Sequence, residues 1–367
     1  MITHPPAWDT LATKGAAIRP AVLVQAYTFA GTVIDVPVTD GWILKDAGQY
    51  PRSHVQIQVA DTSLLPTSLN SALQPAGGFL RIDMGYTDTN GTTSYIRVHD
   101  GPITKVSSSR PGSIITVESA DYSVYATGYI RATDASYPGP TNTLAGIPAS
   151  VLGTSLRWWY LNPDYSGLSG AQLTQAAPTD LVQPAGTSDW AFIEQCMDML
   201  GAEAWISPTR QLIVRAVPTV GSPVYTFTVG ESGTLTDYRS EIQRPTNYVM
   251  LKYDNGIVGS WSDNTTTSPT YILGFYGSNA LYEKRSGTPT QAQADAAAKE
   301  YARRDRGNGR SFTMRAVPVP WLEPGDTVAV AAIGETTENH VIQSITIPLG
   351  LDAMTVTTRN PVYSSVM

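Results

Sequence analysis

Four histidines, one cysteine and 31 acidic residues are the groups in this 367-residue chain with which chemistry could be done. Catalysis by acids, bases and nucleophiles needs a convergent set of them. His4, His54, His99 and His340 are scattered, with no H-x-x-x-H pair to hold a metal on one helix face. His99-Asp100, followed by Ser107, Ser108 and Ser109, offers the residue types of a serine triad. No G-x-S-x-G elbow surrounds these serines, so polar residues on hairpin faces explain them more simply. Asp237, Glu241 and Asp254 could supply a glycosidase's carboxylate pair, but any chain with so many acids offers such triples. Asp88-Thr89-Asn90-Gly91 resembles the opening of a calcium loop, yet it lacks the third acidic ligand and the glutamate at the twelfth position. No glycine-rich phosphate loop or dinucleotide fingerprint follows a strand. Cys196 alone makes neither an internal disulfide nor a thiolate cluster for zinc. The expectation is no catalytic residue, no cofactor and no metal, in a protein that is not an enzyme.

Two clusters point to contacts instead. Arg303, Arg304, Arg306 and Arg310 form a dense basic group, three of them at or just beyond a helix C-terminus, where cations are favoured. A functional reading of the group is a salt-bridging contact with an acidic neighbouring subunit. Trp158-Trp159-Tyr160 could stack a sugar, but adjacent aromatics in a loop-rich segment more often anchor that segment or fill a pocket between subunits. A net charge of −7 and a pI near 5.1 argue against a surface built to grip nucleic acid. An acidic wall would instead suit a channel through which DNA slides.

The elements that must position these residues are mainly strands. Charged residues are only 15% of the chain, while 31 glycines and 26 prolines indicate many short strands joined by turns. Residues 16–38 alternate and bend at Gly31, as a hairpin does. His54, Gln56 and Gln58 interleave with Val55, Ile57 and Val59, so one strand face is buried and the other wet. Asn90-Gly91 and Asn255-Gly256 mark hairpin tips. Residues 122–187 lack periodicity and read as long loops. A helix follows, capped by Thr187 or Ser188, with Trp190, Ile193, Met197 and Leu200 on one face and Gly201 as its stop. Trp205-Ile206 and Leu212-Ile213-Val214 then pair across Pro208-Thr209. A second helix over 288–306 begins at a capping box, Thr288-Pro289-Thr290-Gln291, and its alanines allow close packing on a sheet. No apolar run reaches the roughly 18 residues of a spanning helix, and the N-terminus reads neither as a signal peptide nor as an anchor. A soluble protein made in a cytoplasm is expected.

One pattern occurs twice. LQPAGGFLRIDMGY, then GPITKV and IITV, between Leu73 and Asp121, is echoed by WLEPGDTVAVAAIG, IQSITI and MTV between Trp321 and Asn360, about 250 residues later. Leu73 aligns with Leu322, Pro75 with Pro324, Leu80 and Ile82 with Val328 and Val330, and Gly85 with Gly334. Ile103-Thr104 aligns with Ile345-Thr346, and Ile115-Thr116-Val117 with Met354-Thr355-Val356. This gives a mainly β fold with minor α: a first β-barrel unit with an N-terminal arm over 1–121, a loop-rich mixed α/β region over 122–223, and a second barrel unit over 224–367 that includes the helix 288–306.

The duplication resembles the hub proteins of phage tail tips and baseplates, in which two tube-like β-barrels in one chain let three chains match a six-fold tube. The segment from Thr187 to Val214 is similar to a helix-hairpin element of such hubs. Residues Val55 to Val106 also resemble minor tail proteins of actinobacterial siphophages. The resemblance implies a homotrimeric structural protein of the virion tail tip, assembled in the host cytoplasm and lining the DNA channel during genome delivery. It implies as partners a distal tail ring, the C-terminus of a tape-measure protein and a tip or receptor-binding protein, with DNA only in transit. Competing readings are a receptor- or carbohydrate-binding tail protein and a cell-wall hydrolase.

Overall fold

A computed structural model describes residues 2–5, 8, 19–28, 30–87, 90–108, 114–139, 141–156, 162–229, 234–242, 244–268, 270–275, 277–285, 288–307, 310–331, 337–350 and 352–359. The first half is built of strands β1 (Arg19–Tyr27), β2 (Val33–Asp35), β3 (Val38–Asp46), β4 (Ser53–Val59), β5 (Phe79–Thr87), β6 (Thr93–Ser108) and β7 (Ile115–Ala120). Their alternation follows the period of two read from the sequence: β4 buries Val55, Ile57 and Val59 and leaves the residues between them half-exposed. β1 and β2 form the expected hairpin, and Gly91 and Gly256 take positive φ at the two Asn-Gly tips.

The middle region holds α1 (Ser123–Gly128), β8 (Ala135–Ser136), α2 (Ile147–Ser155), β9 (Asp164–Gly167), α3 (Gly170–Thr174), β10 (Val182–Gln183), α4 (Asp189–Leu200), β11 (Ala202–Ile206) and β12 (Leu212–Ala216). It is not the run of long loops expected over 122–187. Its helices are too short to show a period, but Tyr122, Leu144, Ile147, Val151, Leu152 and Leu181 are buried against α4 in a core of their own. α4 conforms to expectation: Ser188 Oγ accepts from Ala191 N at 3.2 Å, and Trp190, Ile193, Met197 and Leu200 are buried.

The second half contains β13 (Tyr225–Thr228), β14 (Leu235–Ile242), β15 (Tyr248–Tyr253), β16 (Val258–Ser262), β17 (Ala280–Arg285), α5 (Gln291–Gly307), β18 (Arg310–Ala316), β19 (Thr327–Ala331), β20 (Glu338–Pro348) and β21 (Met354–Arg359). β15, β16 and β17 form a separate sheet. α5 lies on it through Ala294, Ala297, Ala298 and Ala302, which share a small core with Val249 and Leu251. The capping box of α5 is displaced by two residues from the expected one. Thr290 N donates to Gln293 Oε1 at 3.0 Å and Gln293 N to Thr290 Oγ1 at 3.4 Å, so Pro289 precedes the cap and does not open the helix.

All other strands of the two halves join one sheet of 13 strands. No closed barrel forms among the described residues, because β20 carries the sheet from the second half into the first by pairing with β3. A single core spans both halves. Its centre is Trp321, with Tyr86, Tyr225 and Trp8 around it at ring separations of 5.7 to 6.3 Å. The N-terminal arm closes this cluster, with His4 stacked on Trp321 at 4.4 Å.

The two halves repeat one strand order. The first runs β3-β4-β7-β6-β5-β1 and the second β14-β18-β21-β20-β19-β13. Two β-bulges recur at matching places. One falls between Val38 and Asp40 in β3 and between Leu235 and Asp237 in β14; the other falls between Ile103 and Lys105 in β6 and between Ile342 and Ser344 in β20. At the first bulge Thr39 Oγ1 donates to Gln58 O at 3.2 Å, and Thr236 Oγ1 donates to Arg315 O at 3.0 Å. The pairing also corrects the sequence alignment: Val117 opposes Val106 as Val356 opposes Ile345, so Ile103 corresponds to Ile342, not to Ile345. The sequence echo slipped there because β-strand motifs of two alternating apolar residues match themselves in several registers. Gly334 lies outside the described residues. One edge differs between the halves, since β1 runs antiparallel to β5 whereas β13 runs parallel to β19.

Candidate assembly interface

The residues that could do chemistry do not converge. His99 is buried, and its Nδ1 meets Ser53 Oγ at 3.0 Å and its Nε2 meets Ser119 Oγ at 2.9 Å. Burial, with Lys45 and His54 nearby, pushes its pKa down to about 3, so it is a neutral structural ring. Asp100 turns away to Arg210 at 2.9 Å and to Tyr122 Oη at 2.9 Å. Ser107 and Ser108 sit on the exposed end of β6 and Ser109 lies outside the described residues, so no triad is assembled among the described residues. His340 is buried beside Glu338 at 3.1 Å. Asp237 and Glu241 are exposed on β14, whereas Asp254 lies at the Asn255-Gly256 hairpin tip of the separate sheet. Cys196 is buried, and burial pushes its thiol up. Among the described residues no cluster of three or more histidine, cysteine or acidic side chains could hold a metal. Trp158, Trp159 and Tyr160, with Asp88 and Thr89, lie outside the described residues, as do the side chains of Arg303, Arg304, Arg306 and Arg310. No helix among the described residues is long and apolar enough to cross a membrane.

A buried polar joint fastens the pieces together instead, and the sequence reading did not foresee it. It is centred on Leu322-Glu323-Pro324, the Leu-x-Pro of the second repeat. Lys45 of β3 bonds Glu323, and Arg52, from the turn between β3 and β4, donates to Pro324 O. Arg215 of β12 donates to the same carbonyl at 2.9 Å and to Glu203 of β11 at 2.8 Å. Trp205 is held between two guanidinium groups, Arg52 at 4.2 Å and Arg215 at 4.5 Å from its ring centre. Burial would raise the Glu203 carboxyl, but Arg52, Arg215 and Arg359 outweigh it and hold the pKa below the usual range. Fixed charges that satisfy one another in this way hold three pieces of chain in one arrangement; nothing in the joint is poised to react. Each residue was visible in the sequence as a lone charge beside an apolar strand, but pairs so far apart along the chain leave no local signal.

The remaining open features are strand edges. β20 has three partners: β19 along residues 338–341, β21 on one side, and β3 beyond β19 on the other. Its counterpart β6 has two, β5 and β7, and residues 105–108 have no strand on the side away from β7 among the described residues. β14, the counterpart of β3, pairs with β18 and with no other strand among the described residues.

No family model matches the chain, and no curated protein does. Solved structures do match it. The tail protein from Neisseria meningitidis MC58 is 13% identical with a TM-score of 0.64, over 93% of this chain and 96% of that one. The 43 kDa tail protein of prophage MuSo2 from Shewanella oneidensis is 12% identical with a TM-score of 0.63, over 94% and 99%. A prophage tail protein from Listeria monocytogenes EGD-e is 11% identical with a TM-score of 0.53, over 92% and 94%. The chain has the fold of these phage tail proteins, which bears out, at the level of fold, the resemblance to tail-tip and baseplate proteins and the mainly β class; these structures do not bear on the likeness to actinobacterial minor tail proteins.

Proposed function

We propose that the chain is a structural protein of a phage tail tip, a hub that assembles as a homotrimer and matches a six-fold tube to a three-fold tip. The observation that carries this reading is the repeated strand order with its shared bulges, which supports taking the halves as copies of one ancestral unit. Two such units per chain give six in a trimer, the number a six-fold neighbour requires. Each unit corresponds to one of the units 1–121 and 224–367 expected from sequence, with the region 122–223 between them. The ring encloses a channel through which DNA passes, and the excess of acidic residues suits a wall that does not retain it. Its neighbours are a distal tail ring above, the C-terminus of a tape-measure protein inside, and a tip or receptor-binding protein below, in a virion assembled in the host cytoplasm.

The work is geometric and needs no catalytic residue or cofactor. Native mass spectrometry of the full chain is expected to give a mass of three copies, and imaging of an intact tail tip is expected to show six similar lobes in one ring. A mass of one chain at tens of micromolar, or six copies in the ring, would overturn the assignment.

A further inference from the structure

The connection from β16 to β17 carries the two most exposed large apolar side chains among the described residues, Leu273 at 80% and Phe275, fully exposed. We propose that this loop, residues 263–279, dips its tip into the surface of a lipid bilayer whose headgroups carry no net charge. The inference stands apart from the hub reading, since it needs neither the trimer nor the channel.

The loop is built to hold that tip out. Asn247, buried at the foot of β15, ties its two sides together: the side-chain amide donates to Thr270 O at 2.9 Å and to Gly277 O at 2.7 Å, and Oδ1 accepts from Asn279 N at 2.7 Å. The buried carboxylate of Asp263 accepts from Ser268 Oγ at 2.5 Å and from Thr270 Oγ1 at 2.6 Å. Ile272 N returns to Asp263 O at 2.9 Å, so the chain is fixed on both sides of the tip. Leu273 and Phe275 would have to break this network to fold back onto a core. Two large apolar side chains held side by side in water forgo the free energy of burial, and the arrangement calls for an apolar partner.

The chemistry of the loop selects hydrocarbon over a protein pocket. No residue from Asn264 to Tyr282 is charged, so the tip has no ion to strip of water. The backbone N–H groups of Ser268, Tyr271, Ile272, Gly274 and Gly277 all donate within the loop, as a medium without hydrogen-bond partners demands. A protein interface is read by a polar rim as well as by apolar area, and this tip offers area alone. Tyr282, exposed on β17 three residues beyond the loop, has the amphipathic ring that settles at headgroup level. A net charge of −7 gives no attraction to anionic lipid, so the matching surface is a zwitterionic one.

Because Cys196 is buried, a polarity-sensitive fluorophore can be attached to the full chain at F275C alone. With phosphatidylcholine vesicles its emission is expected to shift to the blue, equally at low and high salt, and to be quenched by lipids with brominated acyl chains. The same label at L69C, an exposed apolar position between β4 and β5, is expected to stay unchanged. In vesicle flotation, Leu273→Ser combined with Phe275→Ser is expected to keep the wild-type melting and to lower the partition coefficient about tenfold or more. No shift with vesicles, or an equal shift at both labels, would overturn the inference. So would a blue shift that appears on raising the protein concentration without vesicles, which would place the tip against a second copy. A native mass of three chains without vesicle binding overturns this inference and leaves the hub standing, whereas vesicle binding by a chain that stays single does the reverse.

Discussion

His99 and Glu203 show how single buried groups set the conditions under which the molecule is stable. His99 has a folded pKa near 3 against 6.5 in the unfolded chain, so below pH 6.5 the unfolded state gains a proton that the folded state refuses. Stability is full above pH 6.5 and falls as the pH drops, by about 2 kcal/mol at pH 5 on the basis of ~1.4 kcal/mol per pKa unit. Urea denaturation at pH 7.5 and at pH 5 is expected to show that loss, and His99→Gln, which can still bridge both hydroxyls, is expected to reduce it. Asp121 works in the opposite sense, since burial raises its carboxyl and favours the folded state in acid. Glu203 answers to Arg52 and Arg215 together. Glu203→Ala leaves both guanidinium groups buried and uncompensated, and thermal melting is expected to register a loss of about 3–5 kcal/mol. Neither role could be read from the sequence. His99-Asp100 offered the residue types of a triad, which the sequence reading set aside in favour of polar residues on hairpin faces, and only the fold shows that serines on two other strands take both ring nitrogens.

At the scale of elements, the sequence was legible wherever one face of a strand or helix is buried against its own neighbours. β4, the β11–β12 hairpin and α4 lie where alternation, turn residues and capping put them. The middle region was illegible because α1, α2 and α3 are too short for a period to emerge, and their burial is decided by α4, which comes later in the chain. The separate sheet of β15, β16 and β17 was also missed, because nothing local tells a strand which sheet it will join. α5 is seated on that sheet by a very close approach. A Cβ on Gly259 of β16 would lie 2.1 Å from Ala294 O. Gly259→Val is therefore expected to lift α5, at a cost of about 1–3 kcal/mol. Hydrogen exchange is expected to quicken across β15–β17 and α5 while amides of the 13-stranded sheet keep their protection.

At the scale of the whole molecule, the strand pairings put Leu80 and Ile82 at the same places in their half as Val328 and Val330 in theirs, positions that the sequence echo also matched. What it did not show is that both halves share one core and one sheet, since the strand that joins them, β20, looks like any other. Along that junction Ile345 faces Lys45, Thr346 faces Leu44 and Ile347 faces Ile43. Two strands tethered in one chain meet at an effective concentration that separate chains reach only when the protein is abundant. The seam between the halves can therefore close within the chain before another copy competes for either strand.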